Sequence, residues 1–154
     1  MEGIERKMAE SSVFYYETDL EWKKEKEGEI GGPQLPAIAV GAPPEFGGER
    51  EGNWSPEHLL VASLNTCYML TFLAITENSK IALVSFSSTA KGKLEKVAGA
   101  NFQITEIVLK PRIVIASAHD LGRVPRILEK AKENCFVSNS IKSAIKLEPE
   151  VSHQ

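Results

Sequence analysis

Apolar positions in the stretch SPEHLLVASLNTCYMLTFLAIT, which opens at Ser55, cover nearly the whole circumference of a helix, and between Glu57 and Glu77 there is no Lys, Arg, Asp or Glu. Ser55 suits an N-cap, Pro56 suits the first helical position where its missing N–H costs nothing, and Glu57 falls where the macrodipole favours a carboxylate. A helix with so little polar surface is expected to be buried on most sides. The flanking segments are patterned differently. Residues 12 to 25 predict a strand rich in aromatic and β-branched positions, Gly28 to Gly32 a turn, and residues 35 to 40 a second strand. The Pro/Gly-rich stretch from 41 to 54 predicts a loop that delivers the chain to the helix. Beyond the helix, Ala82, Val84, Phe86, Ser88 and Ala90 alternate as a half-buried strand would, with Gly92 breaking or bending it. Residues 101 to 116 predict a bent strand or strand pair, with Pro111 confined to an edge or bulge. Residues 122 to 134 predict an amphipathic helix with Ile127, Leu128 and Ala131 on one face, and Ala144 to Val151 a final strand. The order β-β-α-β-β-α-β, with strands in runs, is α+β.

With 154 residues, 42% hydrophobic and 25% charged, the composition fits one globular domain spanning 1–154 that can bury a real core. A formal charge of −3 gives no footprint for nucleic acid. The opening MEGIERKMAE mixes both charge signs and has no apolar segment of the secretory kind, so the expected location is the cytoplasm. A membrane span is the rival reading of the long helix. His58, Ser63, Asn65, Thr66, Thr71 and Thr76 are too many polar groups for a segment barely long enough to cross a bilayer, so no membrane partner is expected. One sheet covers only one side of such a helix. Its other apolar face predicts a partner chain, most simply a two-fold homodimer in which equivalent helices meet.

Two cysteines remain. Cys67 lies in the middle of the apolar helix and Cys135 at the end of the amphipathic one. A buried cysteine is most often a small hydrophobe. In a reducing compartment two cysteines are not expected to form a permanent bridge, which leaves a transient, catalytic or sensing disulfide open. A zinc site built from His58, His119 and both cysteines lacks the short spacings of such sites, and no metal is expected.

The segment W-S-P-E-H-L-L, the ten residues from Glu57 to Cys67, and the second cysteine in E-K-A-K-E-N-C-F-V-S together resemble the OsmC/Ohr family, the osmotically inducible protein C and organic hydroperoxide resistance proteins. These are thiol-dependent hydroperoxide reductases. The resemblance implies antiparallel sheets wrapped around a buried central helix and an intertwined homodimer with active sites at its interface. It also implies a peroxide substrate, an external thiol or dithiol reductant, and no metal or organic cofactor. By the same resemblance Cys67 is the peroxidatic thiol and Cys135 the resolving one. The family commonly has proline after the second cysteine, where this chain has Phe136. It also sets an arginine against the reactive cysteine, paired with the glutamate of the P-E motif. Glu57 matches that glutamate, whereas no arginine aligns in the first strands, and Arg50 and Lys24 are the candidate cations.

The chemistry sets conditions on these residues. A thiol with its ordinary pKa of about 8.5 is only a few per cent ionised near neutrality, and burial makes ionisation harder. Mid-helix placement gives Cys67 no help from the helix N-terminus, so a cation from another segment is expected. At about 1.5 Å per residue, Glu57 sits roughly 15 Å along the axis from Cys67. If both serve one cation, Glu57 comes from the partner subunit. A sulfenic acid on Cys67 must be met by Cys135 before further oxidation, with the two Cα atoms within about 7 Å. Leu60, Leu64, Tyr68, Met69 and Phe136 are candidates for an apolar substrate wall, and plain core packing accounts for each equally well. Two other readings of the same residues are a noncatalytic small-molecule-binding or dimeric scaffold protein and a thiol redox sensor.

Overall fold

Three strands, β1 (Asp19–Lys24), β2 (Glu27–Gly32) and β3 (Leu35–Gly41), form an antiparallel meander near the start of the chain. The computed structural model describes residues 12–49 and 51–154, and the chain divides into two compact units after Ser55. In the meander Leu20, Ile30 and Ile38 lie in register, as do Trp22, Gly28 and Val40, which gathers the apolar side chains on one face. Leu20 and Trp22 on that face are 70% and 74% exposed. The segment expected to turn, Gly28 to Gly32, is instead the central strand. A Cβ on Gly28 would lie 2.8 Å from the Glu21 carbonyl oxygen, so this glycine permits close approach of strands and does not mark a bend. The hairpins turn at Glu25 and Gln34, whose φ values are +48° and +62°. Neither is the Asn-Gly type of pair that signals a hairpin. The first strand is also shorter than expected, since residues 12–18 carry no regular structure.

The second unit opens with the apolar helix, α1 (Pro56–Asn78), followed by the long strands β4 (Leu83–Lys96) and β5 (Phe102–Ile115), which pair antiparallel. A 3-10 turn at Ala118–Arg123 leads into α2 (Val124–Asn134), and a second short turn at Ser138–Ser140 leads into β6 (Ala144–Leu147) and β7 (Glu150–His153). The single expected final strand is therefore two, divided at Pro149, and both run parallel to β5. The fold is α+β as expected, but this sheet is mixed and not antiparallel throughout.

That division resolves the position of Pro111. β5 is the central strand, and Pro111 pairs with Ser88 in its middle, fully buried. On its other side β6 ends opposite Leu109 and β7 begins opposite Arg112, so the proline sits where the neighbouring strand is interrupted. Its lack of an N–H removes no ladder bond on that side. β4 is not broken at Gly92, although its register against β5 shifts just beyond it, between Lys93 and Leu94. A Cβ on Gly92 would lie 2.6 Å from a Val61 methyl, so the glycine brings the strand close to α1.

The core lies between this sheet and the helices. Ile107, Leu109, Ile113 and Ile115 are buried at every second position of β5, as a pleated strand requires. Leu64, Tyr68, Phe72 and Thr76 form a stripe at every fourth position of α1, and Val124, Ile127, Leu128 and Ala131 are the buried face of α2. The rings of Phe72 and Phe86 pack with centroids 5.4 Å apart. Within a single chain α1 is thus buried along one stripe and not on most sides. Ser63, Thr66, Leu70 and Ala74 are exposed, Leu70 at 57%. The helix is long and apolar enough to cross a bilayer, yet its buried stripe is packed as a core helix.

Candidate active site

Both cysteines reach one point of the second unit. Cys67 is half-buried in the middle of α1, and Cys135 is fully buried at the position that ends α2, where the backbone turns extended at φ −70° and ψ 119°. No disulfide joins them, and Cys67 is a near enough neighbour to influence the Cys135 thiol. Burial pushes the Cys135 thiol up to about 11, the adjoining Cys67 adds to the rise, and the backbone N–H groups of Ser138 and Val137 oppose it. Cys135 therefore holds its proton at neutral pH. The short turn after α2 aims those two N–H groups at the Cys135 sulfur, where they would support a thiolate once one forms.

The surroundings of Cys67 are defined by α1 itself. The Thr71 hydroxyl donates to the Cys67 carbonyl at 2.8 Å, one turn on. Tyr68 is buried, and its hydroxyl donates to the Leu128 carbonyl of α2 at 3.0 Å. Burial, followed by the proximity of Glu129 and Cys135, pushes the Tyr68 phenol well above its ordinary value, so it stays a donor. This link between the helices and the two amides at Cys135 were not legible in the sequence, since both depend on backbone groups.

Glu57 stands in the first turn of α1 with Oε2 buried and no hydrogen-bond partner among the described residues. It stands ten positions before Cys67 along unbroken helix. Lys24 is exposed at the end of β1, and Arg50 lies outside the described residues. Of the apolar candidates, Leu64 and Tyr68 are sealed in the core, Leu60 is half-buried and Phe136 is 73% exposed. A cleft of 530 Å³ on the sheet, lined by Ser87, Ser88, Lys110, Arg112, Glu148 and Glu150, contains neither cysteine. Its cations are already paired, Lys110 with Glu148 at 3.2 Å and Arg112 with Glu150 at 3.0 Å. Among the described residues no group of three or more His, Cys, Asp or Glu side chains is placed to hold a metal ion.

A family model described as OsmC-like protein matches residues 47–150. The chain is 32% identical to Peroxiredoxin OsmC of Escherichia coli over 103 residues, 67% of this chain and 69% of that protein. It is 25% identical to the uncharacterised protein YmaD of Bacillus subtilis over 142 residues, 90% of this chain and 93% of that protein. Among solved structures, an OsmC-like protein of unknown function from Vibrio cholerae superimposes with a TM-score of 0.83 at 25% identity, covering 89% of this chain and 99% of that one.

Proposed function

Because the chain belongs to the OsmC family, we propose that it is a cysteine-based reductase of organic hydroperoxides, hydrogen peroxide or both, with Cys67 peroxidatic and Cys135 resolving. The observation that carries this reading is the closeness of the two cysteines, residues 68 positions apart in the chain that the fold brings to the same core cluster. Cys67 is the half-buried residue, which suits it to meet a peroxide, and Cys135 the fully buried one, which suits it to resolve. The Cys67 thiolate attacks the distal oxygen of ROOH, the O–O bond breaks, sulfur is oxidised to Cys67–SOH, and the alkoxide leaves as ROH after taking a proton. The Cys135 sulfur then displaces the sulfenic oxygen, giving the Cys67–Cys135 disulfide and water. A dithiol reductant returns both thiols by exchange and leaves as its own disulfide. Such a cycle belongs in a reducing compartment, and we assign the protein to the cytoplasm on that ground.

The working unit we propose is a homodimer. A helix with no charge between Glu57 and Glu77 and with Leu70 exposed, and a sheet face in the other unit with Leu20 and Trp22 exposed, are apolar surfaces of the kind a second copy covers. The unpartnered Glu57 Oε2 supports a cation docking there, with Glu57 serving the Cys67 of the partner subunit, as the length of α1 requires. Light scattering is expected to give twice the chain mass, and a monomer at micromolar concentration refutes the shared site.

The function is tested by adding one equivalent of cumene hydroperoxide, or of hydrogen peroxide, to the reduced protein. Free thiols are expected to fall from two per chain to none, with peptide mapping showing Cys67 joined to Cys135 and added dithiol restoring both. Two thiols still free after exposure to either peroxide sink the reading.

A further inference from the structure

We propose that Tyr68 is a positioning residue for the resolving step, holding Cys135 against Cys67 through its hydrogen bond to α2; this rests on the reading of the two cysteines given above. Tyr68 directly follows Cys67 on α1, and its ring is 1% exposed. Its hydroxyl spans to the Leu128 carbonyl at 3.0 Å, a buried bond between residues 60 apart. Leu128 lies two turns before Cys135, which ends the same helix. The hydroxyl is also close enough to Cys135 to feel a charge there.

Apolar contact alone does not fix where along its axis α2 rests on α1, because hydrophobic burial is non-directional. Polar contacts set that register. At the start of α2, Arg123 donates to the Ser79 carbonyl at 2.7 Å, just beyond the end of α1. That contact secures the end of α2 distant from Cys135. The Tyr68 hydroxyl secures the half that leads to Cys135, so the spacing of the two sulfurs depends on it. The Leu128 carbonyl sits inside α2, where it can also accept from the backbone four residues on, so it does not need a tyrosine for its own sake. A tyrosine here serves alignment, whereas phenylalanine would fill the same space.

The step at issue is Cys67–SOH plus Cys135–SH giving the disulfide and water. It competes with a second peroxide that takes Cys67–SOH to the sulfinic acid and releases another ROH. Tyr68→Phe removes one oxygen and keeps the ring. Two readouts on the whole protein test it. The first is the effective molarity of Cys135 toward Cys67, measured as the equilibrium between the intramolecular disulfide and the glutathione mixed disulfide, which needs no peroxide chemistry. The second is the partition of Cys67 between disulfide and sulfinic acid under excess cumene hydroperoxide, by intact mass.

In Tyr68→Phe the effective molarity is expected to fall about tenfold, the scale of one buried hydrogen bond, and the sulfinic fraction to rise, while the rate of the first peroxide attack stays as in wild type. Arg123→Ala is the control. It loosens the distant end of α2 and is expected to lower thermal stability without moving either readout. Equal effective molarity in wild type and a folded Tyr68→Phe overturns the inference, as does an equal fall in Arg123→Ala. A wild type that forms the disulfide with glutathione but consumes no peroxide overturns the peroxidase reading alone.

Discussion

Cys67→Ser is expected to abolish peroxide consumption, lowering turnover with excess dithiol on the order of a thousandfold or more, to the rate of the dithiol alone. A serine hydroxyl fills the site but stays protonated and cannot take up oxygen as sulfur does. Cys67 is half-buried, so the exchange leaves the core stripe of Leu64, Tyr68, Phe72 and Thr76 untouched. The variant is therefore expected to melt near wild type, which separates chemistry from folding. Consumption of cumene hydroperoxide at each concentration of the variant, set against wild type, is the measurement. Turnover that persists in a folded Cys67→Ser would place the chemistry elsewhere. Loss of turnover with no disulfide formed in wild type would favour a scaffold protein that keeps the fold without the reaction.

Cys135→Ser is expected to behave differently. The first equivalent of peroxide should still be reduced, because the oxygen-accepting sulfur is intact, but no intramolecular disulfide can follow. Cys67 should then accumulate as sulfinic acid, seen by intact mass as two added oxygens, and turnover should decay within a few cycles where wild type persists. A second effect is expected in the first step. Cys135 keeps its proton because of burial and the adjoining Cys67, so a thiol here has a proton to offer a Cys67 thiolate. Serine donates as well, whereas Cys135→Ala cannot, so the alanine variant should attack peroxide more slowly than the serine one. Sustained turnover without over-oxidation in either variant would remove Cys135 from the cycle and make Cys67 a single-cysteine catalyst resolved by an outside thiol.

The parts of the molecule that read directly from the sequence are those where one local rule decides the outcome. α1 begins at Pro56 and ends at Asn78 because an apolar run with good helix formers follows a Ser-Pro-Glu start. α2 was legible from the shared face of Ile127, Leu128 and Ala131, and each of these is buried. The second hairpin strand, β2, was not legible. Its glycines are explained only by the Glu21 carbonyl lying against Gly28, a contact across strands. Pro111 points the same way, since a proline in a buried central strand contradicts expectation until β6 and β7 are seen to part opposite it.

Sequence alone determined which chemistry is available. Two cysteines in unlike settings, a P-E motif ten residues before the first, and no charge between them carry the resemblance to the family and supply its two thiols. The tertiary structure decided how those groups are used. It brought Cys67 close to Cys135, buried Cys135 fully and Cys67 by half, turned two backbone amides toward Cys135, and joined Tyr68 to Leu128. Chain patterns report periodicity and propensity, which act over a few residues. Proton affinity and sulfur spacing depend on burial and on contacts between residues some sixty positions apart, which only packing supplies.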